Sequence, residues 1–403
     1  MRVAAISAAT LSPRRVYTTF FGCDDVPETA ASLWDSASTT PFAVSSLSMS
    51  TVTATTSITS AVFGHLADGS AVESYTLKSA DIEVQIISYG ARVVSLLTPD
   101  RAGKLADITL GYARLEPYIK NTNAYFGVIA GRFANRIANG RFMLDGQTVQ
   151  TTLNDGKNML HGGVEGFDAR NWSAKVIPDG VEFELVSPDG DQGFPGTLTT
   201  QVRYTLRGAT LRIETTATTD KTTVVNLTNH AYFNLSGEAS GTILDEELTL
   251  QADAFVPISG PPAIPTGELR PVAGTPFDFT KPTIVGSRIS GADDQLVFGN
   301  GYDHNWVVRG EPGTLRPAAT MHDPESGRTL AVETTEPGIQ FYSGNFLDGS
   351  LVGKSGVAYV QRSGFCLETQ AFPDAPNQPS FPSAVLQPHE TYRSTTTWTF
   401  SAE

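Results

Sequence analysis

The strongest constraint on this chain is a period of two. From about residue 62 onward, short runs alternate apolar and polar side chains, as in VEFELVS (181–187), QVRYTL (201–206) and LRIETTA (211–217). Successive side chains of a strand point to opposite faces, so such runs bury one face and wet the other. Asp68-Gly69, Asp145-Gly146 and Asp179-Gly180 punctuate them. Each Asp-Gly pair is a hairpin signal, because the tight turn needs a positive φ. A helical period is nearly absent, and only Ala113 to Lys120 reads as a short turn or helix. No segment repeats at a fixed period. The pattern predicts an all-β fold, a large sandwich of antiparallel sheets with few short helices.

With 403 residues, 40% of them hydrophobic, the chain can bury a large core, and large β folds often use this length as one domain. Residues 61–403 are expected to form it. Residues 1–60 are rich in Ser, Thr and Ala, contain Pro13, Pro27 and Pro41 and show no periodicity, which predicts a disordered tail. Its apolar stretch, Val3 to Leu11, is weak and runs into Arg14-Arg15, a poor fit to a secretory signal. Arg2, Arg14 and Arg15 would suit a transit peptide, whereas Asp24, Asp25 and Glu28 oppose one. Met49 stands as an alternative start, and a cytoplasmic location is expected.

The formal charge is −14. Without clustered Lys and Arg it argues against a nucleic-acid or anionic-membrane partner. No apolar stretch reaches the roughly 18 residues of a membrane span. The two cysteines, Cys23 and Cys366, are too few for a four-ligand metal site, and a disulfide between them is not expected. Cys366 reads as a small buried side chain.

Six strand-like segments carry polar residues: GRFANRI (131–137), NMLHGG (158–163), NLTNHAYFNL (226–235), GYDHNW (301–306), GIQFYSGN (338–345) and FCLETQ (365–370). Alternation places Asn226, Thr228, His230 and Tyr232 on one face. It likewise groups Cys366, Glu368 and Gln370, opposite Phe365, Leu367 and Thr369. A sheet face lined this way suits a cleft better than a dry core. Each residue also has an ordinary alternative. His230 could be a satisfied structural group, Glu368 a salt-bridge partner, Arg136 beside Asn135 a turn cap. Asp303 could start an Asx-turn, His161 could be a loop residue, and Gln340 a solvated strand residue. His65, His304, His322 and His389 read as structural.

As a group, these segments resemble the aldose 1-epimerase (galactose mutarotase) family. The resemblance spans residues 62–400 and includes SPDGDQGFPG (187–196), PTGELRPV (265–272) and PFDF (276–279). It implies the large β-supersandwich fold of that family and no cofactor or metal. It also implies roles at matching positions: Glu368 as general base, His230 as general acid, His161 as a second active-site histidine. Arg136, Asn135, Asp303 and Gln340 would contact sugar hydroxyls.

Interconverting the anomers of an aldose requires ring opening. A base takes the C1 hydroxyl proton while an acid protonates the ring oxygen, and reclosure on the other face reverses the roles. An unperturbed Glu368 would be ionised at neutral pH, and an unperturbed His230 mostly neutral unless the Glu368 carboxylate favours its cation. The two are expected to titrate as a coupled pair. Phe133, Tyr232 and Phe341 could stack on a pyranose or pack the core. A sugar-phosphate epimerase would need a basic cluster, and only Arg132, Arg136 and Arg141 lie close together. A non-catalytic carbohydrate-binding sandwich would not need Glu368 and His230 together. A free hexose acted on by a monomer is the expectation.

Overall fold

The computed structural model describes residues 56–403. The expectations for Cys23, Met49 and residues 1–55 lie outside the described residues. The end of the expected tail is corrected, because Ser57–His65 is a strand paired with Ala71–Lys78. Most of its side chains are exposed, so hydrogen bonds to its neighbour hold it, and no apolar alternation betrays it.

The architecture is all-β. Ser57–His65, Ala71–Lys78, Glu83–Ile87, Arg92–Pro99 and Leu105–Asp107 follow one another in a five-stranded meander. A nine-stranded sheet runs in the spatial order Ser173–Ile177, Gly180–Ser187, Leu198–Arg207, Thr210–Thr219, Tyr392–Ala402, Arg328–Thr334, Arg316–His322, Glu247–Leu250 and Thr283–Ile284. A second five-stranded sheet runs Arg270–Pro271, Ala252–Val256, Asp303–Val308, Gly338–Tyr342, Cys366–Gln370. Ladders between the strands are antiparallel.

The alternating runs are strands: 181–187, 201–206 and 211–217 all fall in the nine-stranded sheet. Asp145 and Gly146, both with positive φ, turn the chain between Arg141–Leu144 and Gln147–Gln150. At the third Asp-Gly pair the turn sits one residue early. Asp179 takes the positive φ, and Gly180 already pairs with Ile177. Leu115–Lys120 is the expected short helix. A second, Asp294–Gly299, has its N-terminus capped by the Asp293 side chain accepting from the Gln295 N–H. Six residues are too few to display a helical period.

The second five-stranded sheet positions the functional face. Trp306, Ile339, Phe341 and Leu367 point into one continuous core with Met321, Leu330, Val332 and Trp398 of the nine-stranded sheet. Full burial of each such side chain contributes about 1.5–3 kcal/mol. The opposite face carries cross-strand rows. Asp303 pairs with Tyr342 and Tyr342 with Cys366; Asn305 pairs with Gln340 and Gln340 with Glu368. Directly paired residues share a face, so the register gathers these polar groups on one surface.

Candidate active site

Over that face opens a cavity of about 480 Å³, within the range of small-molecule sites. Glu368, Asp303 and Tyr342 reach it from the sheet, Arg136 from the two-residue strand Arg136–Ile137, and His230, Tyr232, His161, Asn135 and Tyr125 from loops. Glu368 and His230, 138 positions apart along the chain, approach to 3.6 Å between Oε1 and Nε2. That is too long for a hydrogen bond and leaves room for a bridging oxygen atom.

Local structure accounts for each placement. Cys366–Gln370 keeps the expected alternation, with Cys366, Glu368 and Gln370 on the site side and Leu367 in the core. In 226–235 the alternation breaks. Only Thr228–Asn229 is a strand, and the Asn229 side chain accepts from the Ala231 N–H, an Asx-type turn. The turn redirects the chain, so His230 and Tyr232 line the cavity while Thr228 lies among Leu227, Thr369 and Trp398. The His230 ring stacks on Tyr232 at 5.1 Å, and its Nδ1 lies 3.5 Å from Cys366 Sγ.

His161 and Asn135 are fastened together. The His161 N–H donates to Asn135 O at 3.0 Å, and the Asn135 N–H donates to His161 Nδ1 at 3.2 Å. Tyr125, Asn135 and His161 all hold φ between 51° and 60°. That region is costly for non-glycine residues and often marks functional sites. Arg136 donates through Nε to Asp155 at 3.0 Å, and its Nη1 stands 4.0 Å from Asp303 Oδ2. Asp303 Oδ1 accepts from Gln340 Nε2 at 2.7 Å.

Burial governs the electrostatics. It pushes the Glu368 carboxyl well above the usual range; the nearby Asp303 charge adds to this, and Arg136 opposes it. It pushes His230 down to about 4 and His161 well below its usual value, with His230 and Arg136 adding to the His161 shift. Asp303 is also raised by burial, against Arg136 and Gln340. Burial therefore works against the expected pairing of an ionised Glu368 with a His230 cation, because desolvation disfavours both charges.

Of the residues singled out in the sequence, Glu368, His230, His161, Arg136, Asn135 and Asp303 converge on the cavity. Gln340 does not: it is 3% exposed and outside the cavity lining, because its amide reaches sideways to Asp303. Phe133 and Phe341 are fully buried in the core; Tyr232 remains in the lining. The sequence pattern missed Tyr342, Tyr125 and Phe346, which also line the cavity. Tyr342 lies two residues beyond Gln340, and period two alone would have found it. Tyr125 and Asp155 sit in irregular segments that carry no such signal.

Residues 73–399 match the family described as Aldose 1-epimerase. The galactose mutarotase of Bos taurus is 49% identical over 346 residues, covering 86% of this chain and 99% of that protein. The chain belongs to the aldose 1-epimerase family. A second relative, the aldose 1-epimerase of Escherichia coli K12, is 40% identical over 341 residues, 83% of this chain and 97% of its own length. Among solved structures, galactose 1-epimerase from Lactobacillus acidophilus superposes with a TM-score of 0.75 at 28% identity, over 86% of this chain and 99% of that one. The supersandwich implied by the sequence is thus the fold, and the chain is an enzyme that interconverts the anomers of hexoses. Its partner is a sugar substrate. Among the described residues no helix is long and apolar enough to cross a membrane.

One feature of this epimerase site imitates a metal centre. His161, His230 and Glu368 bring one donor atom each within 4.8 Å of one another. The tautomer argues against that use. The Asn135 N–H occupies the Nδ1 lone pair of His161, so the neutral ring carries its hydrogen on Nε2. That nitrogen then has no lone pair for a metal and is an N–H donor.

Proposed function

We propose that Glu368 takes the proton from the C1 hydroxyl of a free hexose such as glucose or galactose while His230 protonates the ring oxygen. The observation that carries this assignment is the 3.6 Å approach of Glu368 Oε1 to His230 Nε2 on the wall of a sugar-sized cavity. The hydroxyl oxygen and the ring oxygen share one carbon, so two groups at this spacing can serve both. The pair works with a single proton, which passes from Glu368 to His230 before the step. Glu368 then gains one from C1–OH as His230 gives one to the ring oxygen, and the total is unchanged. After rotation about C1–C2 the transfers run backward on the other face.

His161 Nε2–H, Arg136, Asn135 and Asp303 would hold the other hydroxyls, and Tyr125, Tyr232, Tyr342 and Phe346 offer ring faces to the pyranose. For a phosphorylated sugar the cavity lining, among the described residues, offers only two cations, the exposed Lys120 and Arg136, which is paired with Asp155. Arg132 spends its guanidinium on Ser187, Pro188, Pro195 and Gly196, and Arg141 is exposed outside the cavity lining. A cytoplasmic monomer free of nucleic acid and membrane is part of the proposal; the −14 charge supports the lack of an anionic partner, and fractionation and gel filtration test location and oligomeric state.

The test is polarimetry or NMR on freshly dissolved α-D-glucose, α-D-galactose, xylose and glucose 6-phosphate. The free hexoses should anomerise above the solvent rate. Glu368→Gln should lose roughly 10²–10⁴-fold, the usual worth of a positioned proton transfer. Full activity in that variant would overturn the assignment.

A further inference from the structure

Behind Asp303, away from the cavity, three buried amides form a chain with a defined direction. Gln370 Nε2 donates to Asn305 Oδ1 at 3.3 Å and to Gln340 Oε1 at 3.4 Å. Gln340 Nε2 donates onward to Asp303 Oδ1 at 2.7 Å. Asn305 Nδ2 donates to the Trp306 carbonyl at 3.3 Å. All three side chains are buried. The sheet makes room for them at Gly338, where a Cβ would come within 2.6 Å of Asn305 Oδ1.

We propose that Gln370, Asn305 and Gln340 are positioning residues for the epimerase reaction, a relay that fixes which carboxylate oxygen of Asp303 is left to face the sugar. The inference rests on the reading of Asp303 as a hydroxyl contact. The relay's polarity follows from its two ends. The Asp303 carboxylate and the Trp306 carbonyl only accept, so Gln340 and Asn305 turn their amide nitrogens to them and their oxygens to Gln370, whose nitrogen serves both. A Gln340 flip would abut the amide oxygen on a carboxylate inside a low-dielectric interior, where mismatched polar groups cost most. Oδ1 is thus committed to the protein, and Oδ2, on the Arg136 side, remains for ligand. Neither Gln370 nor Asn305 lines the cavity, so their effect on sugar binding runs through Asp303.

The experiment is a double-mutant cycle between Gln370→Met, which keeps the bulk and removes both donors, and Asp303→Ala. Steady-state constants and thermal midpoints are measured for each member. Gln370→Met alone should raise KM about tenfold and leave kcat within about threefold. In the Asp303→Ala background it should change KM no further, while its effect on the thermal midpoint persists. Independent, multiplying effects on KM would overturn the relay and leave Asp303 as a sugar contact. If Asp303→Ala itself leaves KM unchanged, the reading of Asp303 fails and the relay has nothing to position. Gln340→Met run through the same cycle reports the same coupling should Gln370→Met not fold.

Discussion

His230 and Glu368 are driven in opposite directions by one cause: burial lowers the imidazole to about 4 and raises the carboxyl. Burial disfavours both charges, yet catalysis needs only that the pair keep one proton. On the acid side that state is lost when His230 takes a second proton, near pH 4. On the alkaline side it is lost when Glu368 releases the only one, above the ordinary carboxylate range. The kcat/KM profile should therefore be a broad bell whose limbs belong to the imidazole below and the carboxyl above, the reverse of their solution order. Arg136 supplies the one cation drawing Glu368 down. Arg136→Met should move the alkaline limb to higher pH and leave the acid limb in place, besides raising KM. Polarimetry from about pH 3.5 to 9, corrected for solvent-catalysed anomerisation, reads both limbs; an alkaline limb that stays put in the variant would sink the assignment.

Among the elements, regular strands were legible and irregular connections were not. The face shared by Cys366, Glu368 and Gln370 followed from alternation because Cys366–Gln370 is paired throughout its length. The face assigned to Asn226, Thr228, His230 and Tyr232 did not survive, because a side-chain turn at Asn229 outweighs the period in a two-residue strand. The sequence marks Gln340 as a site residue, but its sideways bond to Asp303 depends on a neighbouring strand that no local pattern contains. The same limit applies to the loop carrying His161. Gly162 holds φ +96°, and a Cβ there would lie 1.9 Å from Gly131 O, so this glycine is required by both backbone and contact. Gly156 also has a positive φ, +61°, but faces open space. Ala at 156 should cost about 1 kcal/mol, the backbone effect alone. Ala at 162 should cost clearly more and lower kcat by displacing His161. Urea midpoints and turnover of the two variants separate strain from clash, and equal costs would contradict the contact.

Across the whole molecule, the depth that makes the site reactive also makes its acid stability a contest. His304 is 1% exposed, packed against Phe255, Phe277 and Trp306, and its Nδ1 accepts the Asp303 N–H at 3.2 Å. Burial, with a smaller effect of Arg270, lowers it from 6.5 to about 3. The sign follows from where the proton goes. Below pH 6.5 the unfolded chain protonates His304 and the folded one does not, so stability present above 6.5 is lost as pH falls toward 3. The slope is about 1.4 kcal/mol per pH unit. Glu246, Glu336 and Asp168, the last raised to about 6, are pushed up by burial and act the other way. Their contribution is full below the unfolded carboxylate values and fades as pH rises through the folded ones. Between roughly pH 4 and 6 the two sets oppose each other; below that the carboxyl effect is spent and the histidine loss continues. His304→Phe isolates the histidine. It leaves the Asp303 N–H without its acceptor, a cost that does not depend on pH, and removes the proton-linked loss. Urea unfolding of parent and variant should give a constant gap above pH 6.5. As the pH falls the gap should close at about 1.4 kcal/mol per unit and then change sign. A gap that holds from pH 8 to 4 would mean that His304 is protonated without cost inside the fold, and that burial does not set the charge states of this core.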